Sequence, residues 1–203
     1  MPMTLKIIVP PHPVIAHWLS MLRNETTPSA IYSTGLEQLG KWLTYEAIRE
    51  WLPNRKEEIK TTHGKTEGFV IESRVPLLAI PNLPGGLMLW QGGRDLLPNA
   101  VLCLSGVPKK IEPNSGIVIY LDQISTGEIL LKTIKDLNKQ HIEGKRIRII
   151  CAIASSEGLK LLGESFSDLT IYAACIDPEL KDDGSLYPGI GNPEKRINTI
   201  ITR

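Results

Sequence analysis

GIVIYLDQISTGEILL, residues 116–131, changes its hydrophobic period at one point. Ile117, Val118, Ile119 and Tyr120 form an unbroken β-branched and aromatic run, the pattern of a strand buried on both faces of a parallel sheet. From Ile129 to Leu137 the apolar residues return at helical spacing. The change falls at Ser125-Thr126-Gly127, so strand, tight turn and helix follow one another directly. Open α/β sheets place ligands beyond the carboxyl ends of their strands, and the first-turn amides of a helix attract anions. On this segment alone two readings stay open. Ser125, Thr126, Gly127 and Glu128 form a phosphate cradle, or Thr126 and Gly127 merely cap the next helix.

Outward from this unit, strands and helices alternate. PLLAIP (76–81) reads as a short buried strand entering a turn, Asn82-Leu83-Pro84-Gly85-Gly86, with the position of a ligand loop. A helix over 87–97 and a strand over 100–106 precede the central unit. A strand over 146–154, a helix over 156–164 and a strand over 169–176 follow it. This order predicts an α/β fold, a mostly parallel sheet with helices on both faces. Residues 12–23 read as an amphipathic helix introduced by Pro13, with Val14, Trp18, Met21 and Leu22 on its apolar face. The longest helical pattern runs over 33–51 through Leu36, Leu39, Leu43, Ala47 and Trp51, and Pro53 stops it. His63-Gly64 divides 57–72 into a hairpin or arm. The tail, YPGIGNPEKR at 187–196, is rich in turn residues.

With 203 residues, the chain has the length of one α/β domain: N-terminal helices and an arm over 1–75, the core sheet and its C-terminal loop over 76–203. Its 23 basic and 22 acidic residues give a formal charge of +1, which leaves no electrostatic footprint for nucleic acid or an anionic membrane. Lys109-Lys110 and Lys145-Arg146-Arg148 read as solvated faces, as does Arg55-Lys56 before Glu57-Glu58. Cys103, Cys151 and Cys175 lie in apolar runs without CxxC spacing, which fits a reducing compartment, and MPMTLKIIVPPHP has no secretory core, so a cytoplasmic location is expected. Residues 75–93 are uncharged, but Pro76, Pro81, Pro84 and four glycines argue against a membrane span. His12 and His17, five positions apart, have poor spacing for one metal on a helix face and read as capping or surface residues; no metal site is expected.

HWLSMLRNETTP (17–28), LTYEAIREWLP (43–53), LLPNA (96–100), STG (125–127), IICAIASSEGLKLL (149–162) and IDPELKDDGSLYPGIG (176–191) stand in one order. Together they resemble the uracil phosphoribosyltransferase family, in particular its plastid and cyanobacterial type. The resemblance implies the type I phosphoribosyltransferase fold, a mostly parallel sheet with flanking helices and a small hood, usually in a homodimer. It also implies transfer of ribose 5-phosphate from phosphoribosyl pyrophosphate to N1 of uracil, giving uridine monophosphate and pyrophosphate, with Mg2+ on the pyrophosphate.

The resemblance distributes the site over three loops, and each departs from the family pattern. The phosphate loop aligns with A-T-G-G-S as Ser125, Thr126, Gly127, Glu128 and Ile129, so a carboxylate replaces its second glycine. At about 5 Å and an effective dielectric near 20 that carboxylate opposes each phosphate charge by roughly 3 kcal/mol. The family's Asp-Pro falls on Leu121-Asp122, leaving Asp122 as the candidate catalytic carboxylate for the ribose hydroxyls. The pyrophosphate loop, P-I-L-R-A-G, aligns with 81–86, where Pro84 and Gly85 stand at the R-A positions. Between Gly106 and Gly116 the hood is reduced to VPKKIEPNS, with Lys109 or Lys110 as possible inward cations. The base loop, G-L-G-D-A-G-D, aligns with 189–195: Tyr187, Gly189, Ile190, Gly191 and Asn192 are its candidate residues, and Pro193 removes an amide. Scaffold retained with all three loops altered implies a homologue that has lost turnover and acts as a binding or interaction protein, with uracil or a uridine-type ligand as its expected small partner. An active or weak transferase of pyrimidine salvage is the alternative, and Mg2+ is expected only in that case.

Overall fold

A computed structural model describes residues 5–97, 99–166 and 168–198. Pro98 of LLPNA, the first four residues and 199–203 lie outside them. Six parallel strands form the main sheet: β1 (Lys6–Ile8), β4 (Leu77–Pro81), β5 (Val101–Leu102), β6 (Gly116–Ile124), β7 (Ile147–Ser155) and β8 (Thr170–Asp177), in the spatial order β1-β8-β7-β6-β4-β5. Two strand pairs stand apart from it, the hairpin of β2 (Asn54–Thr61) and β3 (Gly64–Ile71), and the short pair β9 (Glu179–Leu180) and β10 (Leu186–Tyr187). The central strand β6 pairs with β7 so that Leu121 faces Cys151 and Gln123 faces Ile153.

Alternation along the strands sorts the core into two layers. Val118, Tyr120, Ile150 and Ala152 face α1 (Pro13–Arg23), α2 (Ser29–Ile48) and α3 (Gly85–Gly93). Ile117, Ile119, Leu121, Ile149 and Cys151 face α4 (Glu128–Asn138) and α5 (Ser156–Ser165). Both sides of each inner strand are therefore covered, which is why their sequences are apolar runs and not alternating ones. The N-terminal residues belong to the same core, since β1 lies on the sheet edge beside β8 and α2 packs across the sheet. A short helix, α6 (Pro193–Asn198), ends the described chain.

Several boundaries differ from those predicted. The buried face of α1 is Ile15, Leu19 and Leu22, one position round from the predicted stripe, because Trp18 is only half covered at the edge of the layer. Its N-cap is His12, whose Nδ1 accepts from the Val14 amide at 3.1 Å, as the capping reading of that histidine expects. Helix α2 starts at Ser29, directly after Pro28, and ends at Ile48; Trp51 falls beyond it and packs against Gly116. The strand expected over 100–106 is only Val101–Leu102, since it lies at the sheet edge and its neighbour β4 is itself five residues long. The tail is not turn alone, for Asn192 and Pro193 start α6: the Asn192 side chain accepts from the Lys195 amide at 3.0 Å, an N-cap followed by Pro at N1.

The glycines of α3 explain why this helix begins two residues earlier than its apolar pattern. A Cβ at Gly85 would overlap Asp122, and one at Gly86 the Tyr120 carbonyl. The first turn of α3 thus lies against the end of β6, closer than any side chain allows. Farther along, Gly40 of α2 meets the Leu89 carbonyl and Gly92 of α3 meets the Glu37 carbonyl, so the two helices cross backbone to backbone.

Candidate functional site

All three candidate loops lie at the carboxyl edge of the sheet. β6 ends in 125–128, β4 in 82–85, and the end of β8 holds the base loop. In the first, Gly127 is the N-cap of α4 with φ 83°, and no side chain caps the helix. Thr126 therefore does not serve as the cap, and the first-turn amides face outward from the strand end, the geometry that suits an anion. The turn is braced from β7: Ser155 Oγ donates to the Ser125 carbonyl and accepts from the Gly158 amide at 2.8 Å. A Cβ at Gly158 would strike the Ser125 carbonyl, and one at Gly127 would crowd Gly158. From sequence this stretch gives only a strand over 146–154 and a helix over 156–164; that Ser155 caps α5 and also holds the cradle depends on β6 and β7 being neighbours.

The cradle opens onto a pocket of about 30 Å³ lined by Leu121 and by residues 123–130, room for about one water. Among its lining residues Glu128 alone carries a charge. Glu128 is exposed at the first position of α4. Its field acts through solvent, so the opposition to a phosphate falls to about 0.8 kcal/mol per charge pair at 5 Å and a dielectric near 80, well below the value expected from sequence.

Asp122 points to the α3 side of the sheet and is 8% exposed. Its Oδ1 accepts from the Gln123 amide at 2.7 Å, and the Gly85 amide supplies a further hydrogen bond. Burial pushes its carboxyl up to about 6, and the amide donors only partly offset that. Asp122 thereby meets the second candidate loop, and it is packed beneath that loop's first helical turn. Pro84 is half-buried as the N-cap of α3 and offers no side-chain cap. Lys109 is turned elsewhere, lining a groove along α4.

The base loop is held by two arginines that the sequence reading did not single out. Arg23, the last residue of α1, forms a forked ion pair with Asp177, at 2.6 Å and 3.2 Å, and donates to the Gly189 carbonyl at 3.0 Å. The Gly189 amide returns to Asp177 at 2.7 Å. Chiefly through its hydrogen bond to Asp177, Arg23 is held charged more firmly than a free guanidinium. Arg196 of α6 lies over the Tyr32 ring at 4.3 Å and donates to the carbonyls of Leu22, Asn24 and Ile190. Tyr32 adds its own hydroxyl to the Ile190 carbonyl at 3.3 Å, and burial raises the Tyr32 phenol well above its ordinary range. Gly189 and Gly191 have φ of 66° and 77°, conformations that favour glycine.

The base-loop candidates therefore divide. Ile190 is fully buried, so its side chain anchors the loop. Asn192 is occupied in capping α6, and Tyr187 belongs to β10, half exposed beneath Lys181. Thr126 approaches Gly184, in the turn between β9 and β10, so the cradle and the short strand pair that carries Tyr187 border one cleft. A signal existed for Arg23, which follows an apolar helical run in a segment carrying the resemblance, whereas Arg196 lies just past the aligned base loop; their partners are 154 residues (Arg23 to Asp177) and 174 residues (Arg196 to Leu22) away.

A parallel sheet flanked by helices on both faces, with the candidate loops at the carboxyl ends of its strands, is the architecture of the type I phosphoribosyltransferase fold. A sequence model of the family described as uracil phosphoribosyltransferase matches residues 9–197. The chain is 33% identical over 213 aligned positions to a uracil phosphoribosyltransferase of Nostoc, covering 97% of this chain and 99% of that one. It is 34% identical to a chloroplastic uracil phosphoribosyltransferase of Arabidopsis thaliana, over 94% of this chain and 70% of the relative. Among solved structures, the AQ2163 protein of Aquifex aeolicus superposes with a TM-score of 0.81 at 25% identity, covering 95% and 97% of the two chains. This chain belongs to the uracil phosphoribosyltransferase family.

Proposed function

We propose that this member of the family has lost turnover of phosphoribosyl pyrophosphate and binds uracil or a uridine-type ligand at the braced base loop. The observation that carries the reading is where the charges stand: Pro84, uncharged, starts α3 at the second candidate loop, and Lys109 lines the groove along α4. Transfer needs preorganised cations where the leaving pyrophosphate gathers charge. Pro84 stands where the resemblance puts an arginine, and proline supplies neither charge nor amide. The base loop, by contrast, keeps an ordered backbone fixed by Arg23, Asp177 and Arg196.

Magnesium enters the family reaction with the pyrophosphate. Asp122 is the acid at the end of β6, but it is buried and accepts from the amides of Gln123 and Gly85. The described residues hold no group of three or more His, Cys, Asp or Glu side chains placed for a metal. These residues do not fit a protein-side hold on the ion, and no step is assigned to it.

The proposal extends to a cytoplasmic homodimer. What supports the dimer is the hairpin face: Phe69 is 72% exposed and lines an apolar groove of about 690 Å³ with Tyr45, Ile48, Leu52, Ile71 and Leu96. What supports the location is that the cysteines are free and that no helix among the described residues is long and apolar enough to cross a membrane.

Calorimetry with phosphoribosyl pyrophosphate and Mg2+, and separately with uracil, uridine and uridine monophosphate, tests the reading alongside a turnover assay. Uridine monophosphate formation at background, with uracil or uridine bound more tightly than the monophosphate, is the expected pattern. Turnover near the common enzyme value, on the order of 10 per second, would establish the active transferase instead.

A further inference from the structure

A second groove runs along the outer side of α4, away from the cleft. Its floor and one wall are Ile129, Lys132, Thr133, Asp136, Lys139 and Gln140 of and just beyond the helix; the other wall is the segment 105–109, and the volume is about 630 Å³. The segment is fixed in place. Gln140 Nε2 donates to the Pro108 carbonyl at 2.7 Å, and Val107 packs against the lower core layer. The groove is thus preformed, within the size range of small-molecule sites.

Its charge is uneven in a chain whose formal net charge is only +1. Asp136 is the one carboxylate lining the groove, and Lys139 pairs with it at 2.7 Å. Lys109 lines one wall and Lys132 the other, and neither forms an ion pair within 4.0 Å among the described residues, although the Lys132 charge, after the Lys139 hydrogen bond, also helps hold the Asp136 carboxyl below its usual range. By contrast, the lysines of the hairpin at 56 and 65 are each matched by a glutamate. Ile129, 62% exposed, lines the helix wall of the groove, and Val107 and Pro108 line the other. Lys132 and Lys139 are seven residues apart, two helical turns or about 10.5 Å along the axis, which spaces positive charge along the groove instead of at one point.

We propose that this groove is a binding site for an oligophosphate anion, carried free or on a nucleoside, with Lys109 and Lys132 as its principal contacts. Two cations on opposite walls match a chain of phosphates better than a single anion, and ammonium groups bind phosphate as point charges. The exposed Ile129 and the Val107-Pro108 wall supply an apolar face for a nucleoside if one is attached. Ile129 also borders the cradle pocket, so an occupant would lie against the first turn of α4 without entering the cleft. The inference is independent of whether the family reaction is retained.

Calorimetric titration at about 50 mM salt, where such contacts are only partly screened, separates the outcomes. Inorganic tripolyphosphate should bind saturably at one site per chain, and Lys109→Ala with Lys132→Ala together should weaken it at least about tenfold. Lys110→Ala, one position outside the groove, serves as the measure of general charge. Adenosine triphosphate is the nucleoside arm. Tighter binding than tripolyphosphate, abolished as a difference by Ile129→Ser, supports a nucleoside-borne chain; equal affinities support a free one. Binding that never saturates, an effect of Lys110→Ala as large as that of the double variant, or an equal loss from Thr126→Ala overturns the site, the last by placing the anion in the cradle.

Discussion

Replacing Arg23 with methionine keeps most of the side chain's length and apolar stem while removing the guanidinium that bridges α1, β8 and the base loop. Asp177 would then remain with its side chain 2% exposed, retaining the Gly189 amide at 2.7 Å and losing both forked contacts from Arg23. Breaking a buried pair from one side costs about 3 to 5 kcal/mol. Arg23 itself is 25% exposed, so solvent reaches the gap and the lower figure, about 3 kcal/mol, is expected. At roughly 2.1 cal/mol/K per residue of unfolding entropy, 203 residues give about 0.4 kcal/mol/K. The melting temperature should fall by about 7 °C. Scanning calorimetry reads that shift, and amide hydrogen exchange over 187–191 reads its local consequence, because the Gly189 carbonyl loses its donor. Arg23→Lys keeps the charge without the fork and should fall between parent and methionine variant. A drop under about 2 °C with unchanged exchange at Gly189 would mean the network neither stabilises the fold nor orders the loop.

Asp122 titrates at about 6 in the folded protein, from an ordinary 3.8. An acid raised on folding binds its proton more tightly in the native state, so its contribution is present below about pH 4 and is lost as pH rises to about 6; at 1.36 kcal/mol per unit that is about 3 kcal/mol. Parent stability measured by urea at pH 4 and pH 7, relative to Asp122→Asn, should shift against the parent by that order, and a constant difference would contradict the burial argument. Gly40→Ala places a methyl against the Leu89 carbonyl; the helices must separate, with a loss of about 1 to 3 kcal/mol in denaturant unfolding, whereas a gain would show that α2 and α3 do not cross so closely. Glu128→Gly with Pro84→Arg should improve phosphoribosyl pyrophosphate binding more than turnover, since neither change lengthens the 107–115 segment, and a fully competent double variant would show that segment to be dispensable. Glu128→Gln alone should strengthen uridine monophosphate binding only severalfold, because its charge acts through solvent; no change would mean that Glu128 stays clear of the cradle.

The apolar run of β6 and the period change at Ser125 determined, without any structure, that a buried parallel strand feeds a helix through a tight turn. Strand-helix alternation then determined the layered α/β class, because burial on both faces and burial on one leave different periods in the chain. Order in space was not written there. β1 carries only three residues, Lys6–Ile8, and becomes a strand because the edge of β8 is available beside it. The Gly85-Gly86 pair looked like part of a ligand loop, and only the tertiary structure shows it as the contact that seats α3 on Asp122 and Tyr120. The same holds for the site. The cradle could be read from Ser125 to Glu128 because its residues are consecutive. The clamp on the base loop could not, since Arg23 and Arg196 act on carbonyls and a carboxylate far along the chain, and a hydrogen-bonding side chain names its chemistry but not its partner. Whether Glu128 acts at full strength was likewise a matter of exposure, which the fold sets and the sequence does not.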